Sequence, residues 1–330
     1  MLLELKTVLM PFAIAMLLSI IFKPVVIRLR ANRVPLVLSL LGIIIIFALV
    51  LFLVGWLLFA SVESMISELP KYEAKASILV EDLELAIISW GQRFNSQFAE
   101  FQWSDAVQWS SVTAALGSGV GSFISFVSTT FLVLLFMIFI LAGSGQLAEK
   151  VRIAFPERYA NQVSELISTI DSQVRQYLVT KTLISLATGF ITWLVLYLLG
   201  VDFPLVWGFA AYLLNYIPNI GSTIAVIFPF LISLLEFDSF VIPLVVLLGL
   251  GSVQLTMGNV IEPRLMGFSL NLSPLLIIVS LIFWGWLWGI WGMILAVPLT
   301  ATAKIMFENI QPLQPISVLM SGENGSQRPA

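Results

Sequence analysis

The side chains that most often carry chemistry are scarce in this 330-residue sequence. It holds no histidine and no cysteine. That removes Ser-His-Asp catalysis, histidine- or thiolate-ligated metals, haem attachment and disulfides. No Asp or Ser pair stands at a recognisable catalytic spacing, so no enzyme, cofactor or metal centre is expected. No G-x-x-x-x-G-K-[ST] phosphate loop occurs. What remains is a group of mostly neutral polar residues late in the chain. Asn215, Asn219, Ser222 and Thr223 surround the run Asn215-Tyr216-Ile217-Pro218-Asn219-Ile220-Gly221, and Gln254, Thr256, Asn259, Glu262 and Arg264 close a long apolar stretch. Such residues hydrogen-bond small polar solutes of little or no charge. A break at Pro218–Gly221 inside an apolar segment also offers backbone amides, carbonyls and helix ends to a ligand. In the competing reading Pro218 and Gly221 only shape a turn and Asn219 caps the next helix. Glu262 and Arg264 flank Pro263. They pair with each other or with the preceding broken segment, as a gate or as a structural ion pair at the membrane interface.

The elements that position these residues follow from composition. Apolar residues make up 59% of the chain, charged residues 11%, and mean hydropathy is +1.02. Soluble domains carry about 25% charged residues, so this is an integral membrane protein. The formal net charge of −3 argues against nucleic acid as a partner. Long charge-free gaps mark the spans, because one helical crossing takes about 20 apolar residues. Single spans are expected near 8–27, 36–60, 116–142, 183–200 and 240–258. Lys23 is placed to snorkel from the first. The gaps 203–235 and 265–303 hold 33 and 39 residues. Each is longer than one span, shorter than two, and interrupted in its middle. The second interruption is Trp284-Gly285-Trp286-Leu287-Trp288-Gly289-Ile290-Trp291-Gly292. Broken helices or helical hairpins over 204–235 and 273–308 fit, against the alternative of one tilted, proline-kinked helix plus a loop.

The expected fold is an all-α polytopic membrane protein with two broken-helix or re-entrant hairpins and two extramembrane amphipathic helical segments. Its divisions are a two-helix hairpin at 1–60, an acidic extracytoplasmic segment at 61–115, a span at 116–142, a cytoplasmic amphipathic helix at 144–182, a C-terminal membrane core at 183–310 and a flexible tail at 311–330. Segment 61–115 carries apolar positions Leu79, Leu83, Ile87, Trp90, Phe94, Phe98 and Phe101 at helical spacing, and 144–182 carries Val163, Ile167, Ile170, Val174 and Tyr177. Each stripe packs within the chain, on a partner subunit or along the lipid interface. Arg28, Arg30 and Arg33 put the first loop in the cytoplasm by the positive-inside rule. Alternation then places the N-terminus and 61–115 outside, 144–182 and the C-terminus inside, and the tryptophans at 284–291 in an outer aromatic belt. Asp202, Glu236 and Asp238 are expected on a solvated interfacial face.

The C-terminal half also suggests an internal repeat. Pro204, Gly221 and Pro229 in one block match Pro274, Gly289 or Gly292, and Pro298 in the other, and the single intervening span inverts one against the other. Inverted repeats with interrupted helices point to a transporter's substrate site.

Several runs carry a resemblance. Tyr216-Ile217-Pro218-Asn219-Ile220-Gly221, Gly258-Asn259-Val260-Ile261-Glu262-Pro263-Arg264-Leu265-Met266-Gly267, Leu272-Ser273-Pro274-Leu275 and Gly292-Met293-Ile294-Leu295-Ala296-Val297-Pro298-Leu299, with Pro11-Phe12-Ala13 and Pro24, resemble motifs of the autoinducer-2 exporter family of PerM-like permeases. Members commonly carry a further helix ahead of the Pro-Phe-Ala segment, for which the residues before Pro11 are too few. The resemblance implies a multi-pass carrier of the bacterial inner membrane that assembles as a cyclic homo-oligomer. It further implies a part in quorum-sensing signal export or, in other members, sodium/proton antiport. It points to Pro218, Gly221, Asn259, Pro263, Arg264 and Gly267. The expected function is a secondary carrier for a small polar metabolite, with candidate substrate contacts Asn215, Pro218, Asn219, Gly221, Ser222, Gln254 and Asn259 and candidate gating residues Glu262, Pro263, Arg264 and Gly267. A sodium/proton antiporter would instead need a carboxylate such as Glu262 or Asp202 that is buried and titrates near neutral pH. A non-transporting scaffold would use the two amphipathic segments for docking.

Overall fold

A computed structural model describes residues 5–94, 119–154, 156–266 and 270–322. Among them the chain is all-α, and its one β-bridge joins Leu272 to Ser321. The helices are α1 (Lys6–Ala31), α2 (Leu36–Phe94), α3 (Gly119–Ala154), α4 (Glu157–Leu199), α5 (Pro204–Leu214), α6 (Ile220–Glu236), α7 (Val241–Thr256), α8 (Glu262–Met266), α9 (Pro274–Trp288), α10 (Ile290–Glu308) and α11 (Gln314–Met320). A π turn, Met257–Ile261, joins α7 to α8 without a break. Five stretches are long and apolar enough to cross a membrane: α1, residues 36–68 of α2, α4, the continuous 241–266 helix and α10. The fold is therefore a polytopic helical membrane protein.

Three helices run across the divisions drawn from charge. α2 is one helix of 59 residues across position 60. At 1.5 Å per residue it is about 90 Å long, three times the hydrocarbon core of a bilayer. α3 continues past 142 to Ala154, and α4 crosses 182 within one run of 43 residues. Charge marks where a helix leaves the apolar phase, not where its hydrogen-bond ladder ends, and α3 runs on even through Gly143-Ser144-Gly145. The stripe of α4 packs inside the chain. Ile170, Val174 and Tyr177 are buried with Leu178 against Ala13, Leu17 and Ile20 of α1 and Leu295, Val297 and Ile305 of α10. In the acidic segment, Phe98 and Phe101 lie outside the described residues.

Apolar exposure fits a lipid boundary. On α2, Val37, Ile45, Ile46, Phe52 and Trp56 are all exposed, while Leu40 and Ile43 turn toward Val133, Met137 and Leu141 of α3. Lys23 does not snorkel freely: its ammonium pairs with the Asp171 carboxylate, tying α1 to α4. The Trp-rich run divides by helical phase. Trp286 and Trp291 are exposed, whereas Trp288 is buried and Trp284 donates its indole N–H to Thr300 Oγ1 at 3.3 Å, with Thr300 donating to Ser280 Oγ at 2.9 Å.

Both interrupted segments are helical pairs of like construction. Pro204 and Pro274 stand in the first turn of α5 and α9, where a missing N–H costs nothing. The turns contain Asn219 (φ 61°) and Gly289 (φ 67°) in the left-handed region. Gly221 and Gly292 open the second limbs against the first, so close that a Cβ at Gly221 would stand 1.7 Å from the Leu214 carbonyl oxygen, and one at Gly292 1.8 Å from that of Trp284. Pro229 and Pro298 are fully buried inside the second limbs. These shared features are the three-dimensional counterpart of the Pro/Gly repeat.

Beyond its apolar stretch, α2 grips both ends of the α5–α6 pair. Tyr72 is buried, packs edge-on against Phe203 and donates its hydroxyl to Asp202 Oδ2. The Asp202 amide donates to Glu236 Oε2 at 2.9 Å, and Lys75 Nζ donates to the Glu236 carbonyl at 3.0 Å. Lys71 lies 3.8 Å from Asp202. Only Asp238 has the fully solvated side chain expected of this face, since Asp202 and Glu236 are drawn into the clasp. Burial, reinforced by the Asp202 carboxylate, raises the Tyr72 pKa, so the phenol stays a donor at physiological pH. Tyr72→Phe deletes one hydrogen bond to a charged acceptor. The expected loss is about 1.5–3 kcal/mol, read as a lower unfolding midpoint in detergent. An unchanged midpoint would show that α2 contributes nothing to holding this pair.

Candidate functional site

The polar centre of the protein is built on α4. Tyr177, Lys181, Ser185, Thr188 and Thr192 follow one another at spacings of four, four, three and four, so they share one helix face, and all are buried. The opposite face carries exposed Leu183, Leu186, Phe190 and Leu198. A helix with its polar stripe inward and its apolar stripe outward is built for lipid outside and polar contacts inside.

Three contacts connect α4 to the α5–α6 turn and to the end of the π turn. Asn215 Nδ2 donates to Ser185 Oγ at 2.9 Å, and Tyr216 donates its hydroxyl to Thr182 Oγ1 at 2.8 Å, which hold the α5–α6 turn. One turn along α4, Lys181 Nζ donates to Glu262 Oε1 at 2.6 Å. The Lys181 side chain is 4% exposed and that of Glu262 22%. Removing either partner of such a pair leaves an uncompensated charge.

The π turn sets the position of Glu262. The Glu262 amide bonds back to the Met257 carbonyl, five residues earlier. The added residue turns the chain beyond it by roughly 100° from its course in an uninterrupted α-helix. Glu262 thereby faces Lys181, while Pro263 and Arg264 point outward and are exposed. The Glu262–Arg264 pair therefore does not form. Side chains two apart on a helix do not face each other, and the partner of Glu262 comes from α4.

The structure separates the other residues singled out in the sequence. Asn215 and Gln254 are buried. Asn219, Asn259 and Arg264 are exposed and Ser222 is half-buried. Gly267 lies outside the described residues. Asn219 stands at the N-cap of α6, but its side chain makes no capping bond. Its carbonyl instead accepts the hydroxyls of Ser222 and Thr223, each at 2.9 Å. Part of the backbone of the turn is already engaged: the amides of Tyr216, Ile217, Ile220 and Gly221 bond to Leu213, Leu214, Pro218 and Ile217 carbonyls. Gly221 and Pro218 therefore build the turn, and the side chains of Asn215 and Tyr216 carry its polarity inward. Lys181, Thr182, Ser185, Tyr177 and Tyr216 were missed in the sequence. For Tyr177, Lys181 and Ser185 the signal was present as a polar residue every three or four positions within an otherwise apolar stretch of helix.

Among the described residues no group of His, Cys, Asp and Glu is arranged to hold a metal ion. Neither carboxylate that an antiporter would need stands free, since Glu262 meets Lys181 and Asp202 accepts from Tyr72.

Comparison with known proteins adds the context of relatives. The sequence profile described as AI-2E family transporter matches residues 1–311. The chain is 37% identical over 322 residues to the AI-2 transport protein TqsA of Escherichia coli (strain K12), covering 96% of this chain and 90% of that protein. It is 32% identical over 313 residues to a provisionally named transport protein of Haemophilus influenzae, covering 92% and 86%. A further provisionally named transport protein, from Borreliella burgdorferi, is 32% identical over 263 residues, covering 79% and 70%.

Proposed function

The chain belongs to the AI-2E family of membrane transporters, and from that premise we propose that it exports a small polar metabolite of the autoinducer-2 type across the bacterial inner membrane. The observation that carries this reading is the buried polar face of α4, which holds the α5–α6 turn on one side and the π turn on the other. A solute with several hydroxyl or carbonyl groups exchanges hydrogen bonds with Ser185, Asn215, Thr182 and Tyr216 in place of those they make with one another. Each such exchange is nearly neutral in energy, which suits a site that must both take up and release its cargo. In this reading buried Gln254 contributes a further polar contact, and the more exposed Asn219, Ser222 and Asn259 meet the solute as it enters or leaves. Gly221 and Pro218 keep the turn compact enough to move as a unit.

Lys181 and Glu262 form the gate. Closed, their bond joins α4 to the π turn, and opening it lets the α5–α6 pair swing against α4 and α7. Pro263 and Arg264, exposed on α8, form the outer side of the gate, and the family resemblance adds Gly267 to it. The family resemblance supports a cyclic homo-oligomer as the working form. The charge pattern supports an extracytoplasmic N-terminus and a cytoplasmic C-terminus. Single cysteines can test that orientation in a chain with no cysteine of its own. Asn32→Cys should react with a membrane-impermeant maleimide only after cell lysis, and Asp238→Cys in intact spheroplasts. The reverse pattern would overturn the orientation.

The direct test is efflux of autoinducer-2 from loaded proteoliposomes, with and without imposed sodium and proton gradients. Wild type should release the solute, and Asn215→Ala, folded to the same midpoint within 1–2 °C, should release it at least about ten times more slowly, the equivalent of 1.4 kcal/mol. Exchange of sodium for protons without solute movement would replace this reading by the antiporter.

A further inference from the structure

We propose that the C-terminal segment Asn309–Gly322 is an interfacial strap, with the outward face of α11 seated in the headgroup–acyl boundary of the bilayer where α10 ends. α11 is inside out for a helix in water. Ser317 and Met320 turn inward and are buried, while Pro315, Val318 and Leu319 turn outward and are exposed, Leu319 at 82%, with Ile316 exposed on the flank. Their helical phases agree, because 315, 318 and 319 share one side and 317 and 320 the other.

Depth and charge identify lipid as the occupant. α10 is long and apolar enough to cross a membrane and ends at Glu308, so the strap begins where that helix emerges. From Asn309 to Gly322 the sequence contains no charged residue. A short helix with an apolar outer face and no charge partitions to the membrane surface by apolar burial alone. A second copy of the chain fits less well. Four exposed apolar side chains on a seven-residue helix fall far short of the roughly 800 Å² per partner that a stable protein interface buries.

The strap is tied to the transport core. The Ser273 amide donates to the Met320 carbonyl at 3.0 Å, and the Gly322 amide to the Asn271 carbonyl at 3.3 Å. Leu272 and Ser321 form the one β-bridge. Ser273 is the N-cap of α9, so a strap anchored in lipid fixes the start of the second helical pair.

The test uses full-length protein in nanodiscs, carrying one cysteine labelled with the polarity-sensitive fluorophore NBD. Leu319→Cys and Val318→Cys report on the outward face, Ser317→Cys on the inward face, and Asn32→Cys on an exposed loop. The proposal expects blue-shifted emission at 318 and 319, with strong quenching by lipids spin-labelled high on the acyl chain and weak quenching by iodide. Asn32→Cys should show the opposite. Iodide quenching at 318 and 319 equal to that at 32 would overturn it. So would protection at 318 and 319 from both quenchers, which would mean that another protein surface covers α11.

Discussion

Replacing Glu262 by Gln leaves the Lys181 ammonium, 4% exposed, without its partner. The expected loss is about 3–5 kcal/mol of stability, the range found when one member of a buried ion pair is removed. Lys181→Met should cost less, because the Glu262 side chain it strands is 22% exposed and water reaches it. The order of the two effects is therefore part of the prediction. Unfolding midpoints in one detergent measure it. The charge-swapped chain Lys181→Glu/Glu262→Lys should recover part of the loss, since the groups remain on the same two elements. Single variants as stable as wild type would mean that the two side chains do not form a bond that matters to the fold.

The second large effect concerns backbone contact. Gly221→Ala puts a methyl carbon 1.7 Å from the Leu214 carbonyl oxygen, and Gly292→Ala one 1.8 Å from that of Trp284. No rotamer relieves a Cβ clash with backbone, so each helical pair must open at its turn. Inserting a methylene into a packed core costs about 1–3 kcal/mol when neighbours can shift, and here the neighbour is a helix end. Either substitution should abolish recovery of monodisperse protein from membranes. Gly42→Ala and Gly251→Ala are the controls: a Cβ at either meets nothing within 4 Å. In a helix interior the exchange is worth up to about 1 kcal/mol in favour of alanine. Normal recovery of Gly221→Ala would show that the limbs do not approach as closely as described.

How much of this was legible in the sequence depended on the kind of signal. Spans and breaks were readable because the bilayer imposes length and forbids charge, so charge-free gaps and Pro/Gly interruptions map directly onto helices and turns. The ends of α2 and α4 were not, because each ladder continues unbroken as its surroundings change from apolar to polar, α2 even through Pro70. Glu262 was readable as an ion-pair candidate, but its partner was not. The π turn that rotates Glu262 toward α4 adds a residue to the helix just ahead of Pro263, which reads in sequence only as a kink, and the nearest acceptable charge in sequence, Arg264, lies on the wrong face. Asn215 was picked out by its place beside the turn, whereas Ser185 and Thr182 looked like ordinary residues of a span. Ser185 gains its meaning from its shared phase with Tyr177 and Lys181, a pattern that the hydropathy of the whole segment masks, and Thr182, on the neighbouring flank, gains its own only from the approach of Tyr216. Tyr72, well separated in sequence from Asp202, carried no local signal for a contact that only the docking of α2 creates.

The central claim is that the Lys181–Glu262 bond gates solute movement and is not merely a support of the fold. The variant Lys181→Met/Glu262→Met separates the two, because replacing a buried ion pair by apolar groups of similar size is often neutral or stabilising. Its autoinducer-2 efflux from proteoliposomes, measured beside its unfolding midpoint, is the most direct test. The account predicts a midpoint at or above that of wild type together with loss of solute release. A folded variant that releases solute at the wild-type rate would contradict it, and would leave the pair a structural tie between α4 and the π turn.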